Sequence, residues 1–303
     1  MTPFVKVGLA LGGGGAKGIA HLGVLKVLEE EGISFHLIAG TSFGSIIGAM
    51  YAQNPHVDPV RDRVIKFLRS SQFRRTKIFF IKKHYEQKKT TDFISSIRSY
   101  LQKGIFWGIS LQRTSFIPEG DFLDQLSQLL DEKEIDDTVI PFAAVATDLI
   151  GGEEVVLTKG PMRESVAASC AIPGVFPPIK LAGSLLIDGG WVNQVPVEPL
   201  RQLGANFTIA VDISEEKKSS DRLNSGLDIV LRSGEITRRA LSRLQVLQAD
   251  LVISPKIDDI HWSDFWRYKE AIQRGEEAAR LKVDQLKQLI RRRQVKNFFK
   301  LDV

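Results

Sequence analysis

The sequence predicts an α/β layered fold built on a mostly parallel sheet. Three observations carry that expectation. Short apolar runs alternate along the chain with longer stretches at helical spacing. The first two apolar runs each end in a glycine-bearing turn that opens a helical pattern. At 303 residues, 43% hydrophobic and 25% charged, the chain can bury a substantial core and has no compositional reason to be disordered.

Taken in order, Val5–Leu11 reads as a buried strand. Glycines follow it, then a helix across Ile19–Glu31 with Ile19, Leu22, Val24, Leu25 and Leu28 near helical spacing. Phe35–Ala39 reads as the second strand, and Ser45–Gln53 begins the next helix. Phe142–Ala146, Leu185–Ile187, Phe207–Val211 and Leu251–Ile253 read as further strands. Ser214–Ser225 is polar and reads as a loop. The expected organisation is one domain over 1–303, with a basic helical insertion or cap at 58–133 and C-terminal helices from 262 onward. The insertion holds K-K-H-Y-E-Q-K-K at 82–89 and G-I-F-W-G-I-S-L at 104–111.

Charge is uneven. The net value of +5 divides into +9 between Arg61 and Thr91, +6 from Arg280 to the end, and −10 elsewhere. Two basic regions on an acidic body fit solvated helical faces, nucleic acid or anionic lipid headgroups. No zinc finger, RNA-binding aromatic signature or arginine-rich recognition helix supports nucleic acid. The single cysteine, Cys170, allows no intrachain disulfide and reads as a buried thiol among small residues. The uncharged stretch Gly32–Val57 contains four glycines, two histidines and an asparagine. It reads as strand, turn and helix in a core rather than a membrane span. The N-terminal run lacks the basic flank of a targeting segment.

Residues 12–18 read G-G-G-G-A-K-G. Gly13, Gly15 and Gly18 satisfy G-x-G-x-x-G after a strand and before a helix, so a dinucleotide site must be weighed. That site wants an acidic residue at the end of the second strand, where this chain has Ile38-Ala39-Gly40. A phosphate-binding Walker loop also fails, because Lys17 precedes Gly18 and not Ser or Thr. The same glycines can instead aim backbone N–H groups at a developing oxyanion.

Residues 40–44 read G-T-S-F-G. Strand, glycine-flanked serine and helix form the setting of a nucleophile elbow, with Ser42 at the corner and the Phe43 N–H beside it. A serine needs a base. None of the histidines 21, 36, 56, 84 and 261 holds the late, loop-borne position of a hydrolase triad. D-G-G at 188–190, after the apolar L-L-I, holds that position. It reads as either an ordinary turn or a carboxylate on a strand end.

G-G-G-A-K-G (13–18), G-T-S-F-G (40–44) and D-G-G (188–190), in that order, together with A-S-C-A-I-P-G-V-F-P-P (168–178), resemble the patatin-like phospholipase family, including its compact bacterial members. The resemblance covers Val5 to Asp212. It implies a three-layer α/β/α patatin-like fold and a Ser–Asp dyad without a catalytic histidine. Ser42 would be the nucleophile and Asp188 the base. Gly13, Gly14 and Gly15, with Phe43, would line the oxyanion hole. Lys17 takes the basic place in the glycine motif, and Gly18, Gly40, Gly44, Gly189 and Gly190 support the motifs.

The implied activity is lipid acyl-ester hydrolysis of phospholipase A or lysophospholipase type, with no cofactor and no metal. Acyl transfer on the same residues, or a regulatory or adaptor role on the retained fold, are the alternatives. Phe106, Trp107, Ile109, Phe116 and Phe122 would form a greasy wall, and the 61–91 cations would meet an anionic membrane surface. Expected partners are a lipid or other acyl ester and, peripherally, that membrane. Nucleic acid is not among them, and the oligomeric state is left open. The expected location is cytoplasmic, peripheral on the inner face of a membrane.

Overall fold

The computed structural model describes residues 5–71, 73, 115, 117–214 and 226–299. Its frame is an eight-stranded sheet. Five strands run parallel in the order β3 (Phe142–Asp148), β2 (Leu37–Thr41), β1 (Val7–Leu11), β7 (Phe207–Val211), β8 (Leu251–Ile253). An antiparallel flank consists of β4 (Glu154–Leu157) and β6 (Ser184–Asp188), both paired to β3, and β5 (Ile179–Leu181) on β6. The six expected strands are present. β4 and β5 were not expected. β4 is exposed at its start, and β5 has only three residues between Pro178 and the turn at Ala182 and Gly183, too short for a period to register.

Side chains alternate across the sheet and define three layers. Leu9, Leu11, Ile38, Ala144, Ile209 and Val211 face one core. That core is shared with α1 (Ala20–Glu30), α2 (Phe43–Gln53) and α5 (Met162–Cys170). Ala10, Ala39, Ala143 and Ala210 face the other, thinner core, closed by Val197 and Leu200 of α6 (Val197–Gln202). The alanines let α6 sit close to the sheet. On that side the chain continues into α7 (Gly226–Val246), whose Val246 packs on the same core.

The span expected as an insertion starts within α3 (Val57–Arg69), which buries Val60, Val64 and Phe67. It returns through α4 (Glu119–Ser127), which buries Phe122 and Leu126. The motif stretches at 82–89 and 104–111 lie outside the described residues, as does most of the loop expected at 214–225.

The C-terminal helices are α8 (Tyr268–Arg280) and α9 (Val283–Phe299). α8 meets α1 backbone to backbone. A Cβ on Gly23 would fall 1.9 Å from the Ile272 carbonyl oxygen, and one on Gly275 2.0 Å from that of Ala20. Among the described residues no helix is long and apolar enough to cross a membrane.

Candidate active site

The sheet registers bring the two key side chains together. β2 runs along one edge of β3 and stops with Thr41 opposite Val145. β6 approaches from the other direction and stops with Asp188 opposite Ala146. β4 already occupies the far edge of β3 at both residues, so β2 and β6 share the near edge and meet tip to tip. Ser42 and Asp188 are the residues at those tips. The observed β2 runs two residues beyond its expected end, and this places Ser42 directly at the strand's carboxyl end, where open α/β sheets bind ligands.

Ser42 forms a strained corner. Its φ of 53° and ψ of −128° lie in a region side-chain-bearing residues rarely adopt, at a cost of roughly 1–3 kcal/mol. The surrounding structure enforces that geometry. The Ser42 N–H donates to Ser169 Oγ at 3.0 Å, and Ser169 Oγ donates to the Val145 carbonyl at 2.6 Å. Ser45 Oγ donates to the Ser42 carbonyl at 2.6 Å. α2 leaves the corner so close to β1 that a Cβ on Gly44 would lie 2.2 Å from the Leu11 carbonyl oxygen. The flanking glycine is therefore a steric requirement of the turn.

Asp188 is buried and lines the same cavity as Ser42, whose hydroxyl favours its ionised form. Burial drives its pKa up to about 6. Three weaker influences oppose the rise: the Ser42 hydroxyl, the Gly190 N–H donating to Oδ1 at 2.7 Å, and the positive charge of Arg238. The carboxylate is thus ionised at neutral pH yet far more basic than an exposed aspartate. Cys170 is buried nearby, and burial pushes its thiol up, so it stays protonated.

The glycine loop after β1 is clamped by residues with no place in the sequence motif. Gln194 holds Gly13 twice: its backbone carbonyl accepts from the Gly13 N–H at 3.0 Å, and its Nε2 donates to the Gly13 carbonyl. Gln194 Oε1 in turn accepts from Arg238 at 3.3 Å. His21 is buried under the loop with Nε2 2.8 Å from the Gly12 carbonyl, and desolvation lowers its pKa to about 4. It is a neutral imidazole at pH 7, donating to that carbonyl.

Gly13, expected in the oxyanion set, lines the cavity but donates its N–H to the Gln194 carbonyl. No acceptor among the described residues takes the N–H of Gly14, Gly15 or Phe43.

Two cavities meet at Ser42. One is lined by Gly13, Gly14, Gly15, Lys17, Asp188 and Gly190 and closed by α7 through Arg238, Arg239, Ser242 and Arg243. Asp188 is the one acid among its described lining residues, against Lys17 and three arginines. The other is apolar, with Phe43, Ile46, Phe67, Phe122, Leu126 and Phe176 in its wall. Phe122 and Phe176 stack there at 4.0 Å between ring centroids.

Most of the sequence-predicted site residues are thus in one place. Gly18, Gly40, Gly44 and Gly189 stand behind the pocket as close-packing positions and do not line it. Of the greasy wall, Phe122 lies in the apolar cavity; Phe106, Trp107, Ile109 and Phe116 are outside the described residues. In the basic stretch, Arg61 pairs with Asp58 and Asp62 and Arg63 with Asp131. In the C-terminal region, Arg280, Lys287 and Arg293 pair with Glu30, Glu31 and Asp250. No described histidine lines the cavity with Ser42: His36 accepts from the Val7 N–H, His56 sits 3.6 Å from Glu29, and His261 contacts Ser263.

The α7 arginines, Gln194, Ser169 and His21 as loop support were missed. For α7 a signal existed in the spacing of Glu235, Arg238, Arg239 and Ser242, but a helix that turns polar residues inward defeats a search for apolar periodicity.

The chain is similar to known proteins of one family. The model of the family described as patatin-like phospholipase matches residues 9–201, more than half of the chain. Patatin-like phospholipase domain-containing protein ZK370.4 of Caenorhabditis elegans is 33% identical over 216 residues, covering 71% of this chain. Lysophospholipase nte1 of Aspergillus fumigatus is 32% identical over 211 residues, covering 68% of it. The chain spans only 14% and 12% of those relatives' own lengths. Among solved structures, VipD from Legionella pneumophila overlays with a TM-score of 0.48 at 16% identity, covering 93% of this chain and 67% of that one. The matched span contains the glycine loop, Ser42 and Asp188, and the chain belongs to the patatin-like phospholipase family.

Proposed function

We propose that the chain is a serine acyl-ester hydrolase acting on lipids, of phospholipase A or lysophospholipase type, working through Ser42 and Asp188. The observation that carries this reading is the position of Ser42. A strained serine, sharing its cavity with a buried and basic carboxylate, lies where a cationic cavity and an apolar cavity join. A single-chain lipid ester fits that junction, with its acyl chain among the phenylalanines and its phosphate-bearing alcohol half toward Lys17 and the α7 arginines. The lysophospholipase name of one relative supports the same substrate class.

Ser42 Oγ attacks the ester carbonyl carbon as its proton passes to Asp188. The tetrahedral oxyanion takes hydrogen bonds from the free loop amides of Gly14 and Gly15 and from the Phe43 N–H. Collapse breaks the bond to the alcohol oxygen, which leaves with the proton from Asp188. Water then attacks the acyl-enzyme with Asp188 as base, and the fatty acid departs while Ser42 recovers its proton. The enzyme of this reading acts in the cytoplasm, peripherally on the inner face of a membrane.

A panel of lysophospholipids and neutral monoacylglycerols of one chain length tests the substrate assignment. Released fatty acid should favour the phosphate-bearing lipids, and Arg239→Gln with Arg243→Gln should erase that preference through KM, by roughly tenfold, with kcat little changed. Equal turnover of both classes by the unaltered chain would remove the headgroup assignment.

A further inference from the structure

α7 reverses the arrangement of an ordinary surface helix. Glu235 and Ser242 are buried on its inner side, with Arg238 and Arg239 half-buried beside them. Its outer side is apolar: Ile229, Val230, Ile236 and Leu241 are exposed, as are Leu244 at 62% and Leu247, just past the helix, at 79%. At 100° per residue these six, with Ser233, Thr237 and Ala240, fall within an arc of about 140°. None of the nine is charged. Water-facing helical surfaces normally carry the charges, and a contiguous exposed apolar face marks a surface that something covers. The same projection places Arg243 and Arg232 along one border of the arc, with Arg232 also pairing with Glu235 at 2.7 Å, while Arg238 turns inward to Gln194. Between Gly226 and Val246 there are four arginines against two acids.

We infer that α7 is an interfacial helix that seats the molecule on an anionic lipid surface. Its apolar face would enter the boundary between headgroups and acyl chains, and the bordering arginines would meet phosphates. A cationic border complements anionic headgroups. The opposite side of the helix lines the cavity that holds Ser42, so seating α7 brings that cavity within one helix of the lipid. This last step rests on the lipid-hydrolase reading above; the docking itself does not. The inference also moves the membrane contact away from the 61–91 stretch to α7.

Vesicle flotation tests it, using the full chain carrying Ser42→Ala so that the lipid is not consumed. Binding to phosphatidylcholine vesicles containing phosphatidylglycerol should exceed binding to pure phosphatidylcholine and weaken with salt. Adding Leu244→Asp and Leu247→Asp should reduce partitioning by at least about tenfold. In the active chain, the same pair should leave hydrolysis of a soluble short-chain p-nitrophenyl ester and the circular dichroism unchanged. Loss of ester hydrolysis by the unaltered chain would count against the enzymatic reading and leave the flotation result standing.

A second measurement does not depend on disruptive variants. An environment-sensitive fluorophore on Leu244→Cys, with the native thiol buried, should shift to the blue on anionic vesicles. Equal flotation of the double variant, no spectral shift, or a dimer in light scattering that Leu244→Asp splits would each overturn the inference, the last in favour of a second copy.

Discussion

Ser42→Ala is expected to lower ester hydrolysis by at least about 10³-fold with the fold intact. In the proposed mechanism the hydroxyl at the junction of the two cavities is the group that Asp188 deprotonates, and alanine removes only that atom. The hydrogen bonds that shape the corner run through the Ser42 backbone N–H and carbonyl, so they survive the substitution. Alanine also retains the Cβ and therefore the strain at φ 53°. Ser42→Gly would relieve it and should raise stability by about 1 kcal/mol while remaining inactive. Fatty-acid release measured beside urea unfolding of all three proteins separates the two effects. Strain that disappears without loss of activity would mean that the corner is not a nucleophile elbow.

Asp188→Asn is expected to lose activity on a comparable scale and, unusually for a buried polar substitution, to gain stability above pH 6. The folded pKa of Asp188, about 6, lies above the ordinary carboxylate value of 3.8. The folded state therefore binds the proton more tightly than the unfolded chain. The stability this contributes is fully present below pH 3.8 and is lost as pH rises through 6. Above pH 6 the native state carries a desolvated charge at a cost of up to roughly 3 kcal/mol, and asparagine removes that charge. The advantage of Asp188→Asn in denaturant should shrink as pH falls toward 4.

His21 works in the opposite direction. Its folded pKa of about 4 lies below 6.5, so its contribution is lost as pH falls from 6.5 to 4. The difference between wild type and Asp188→Asn cancels that background. In the proposed mechanism activity follows from the same number, because only the ionised carboxylate could accept the serine proton. kcat/KM of the wild type should fall tenfold per pH unit below about 6 and level off above it. A profile flat through pH 5 would assign the base elsewhere.

The parts of the site legible in the sequence are those whose geometry is set by neighbours in the chain. G-T-S-F-G names the elbow because strand, glycine, serine, glycine and helix must be adjacent for the turn to form. D-G-G marks a strand end in the same way, and the parallel strands announced themselves as apolar runs buried on both faces.

What was not legible depends on distant partners. Gln194 clamps a glycine 181 positions away and has no local pattern. Gly23 and Gly275 read as ordinary helical glycines until their backbones meet. α7 was missed because burial and polarity run against each other along it: its polar side faces a cavity and its apolar side faces outward. The free amide of Gly13 was assumed from a motif, and a hydrogen bond from outside the motif occupies it.

The most direct measurement is covalent. An alkyl fluorophosphonate that mimics the ester's tetrahedral intermediate should inactivate the enzyme, and peptide mass spectrometry should find one phosphonyl group, on Ser42. Labelling should slow by at least about 10²-fold in Asp188→Asn and follow the same pH dependence as hydrolysis. An adduct on any other residue, or full hydrolysis by a chain whose Ser42 stays unmodified, would contradict the role assigned to this serine.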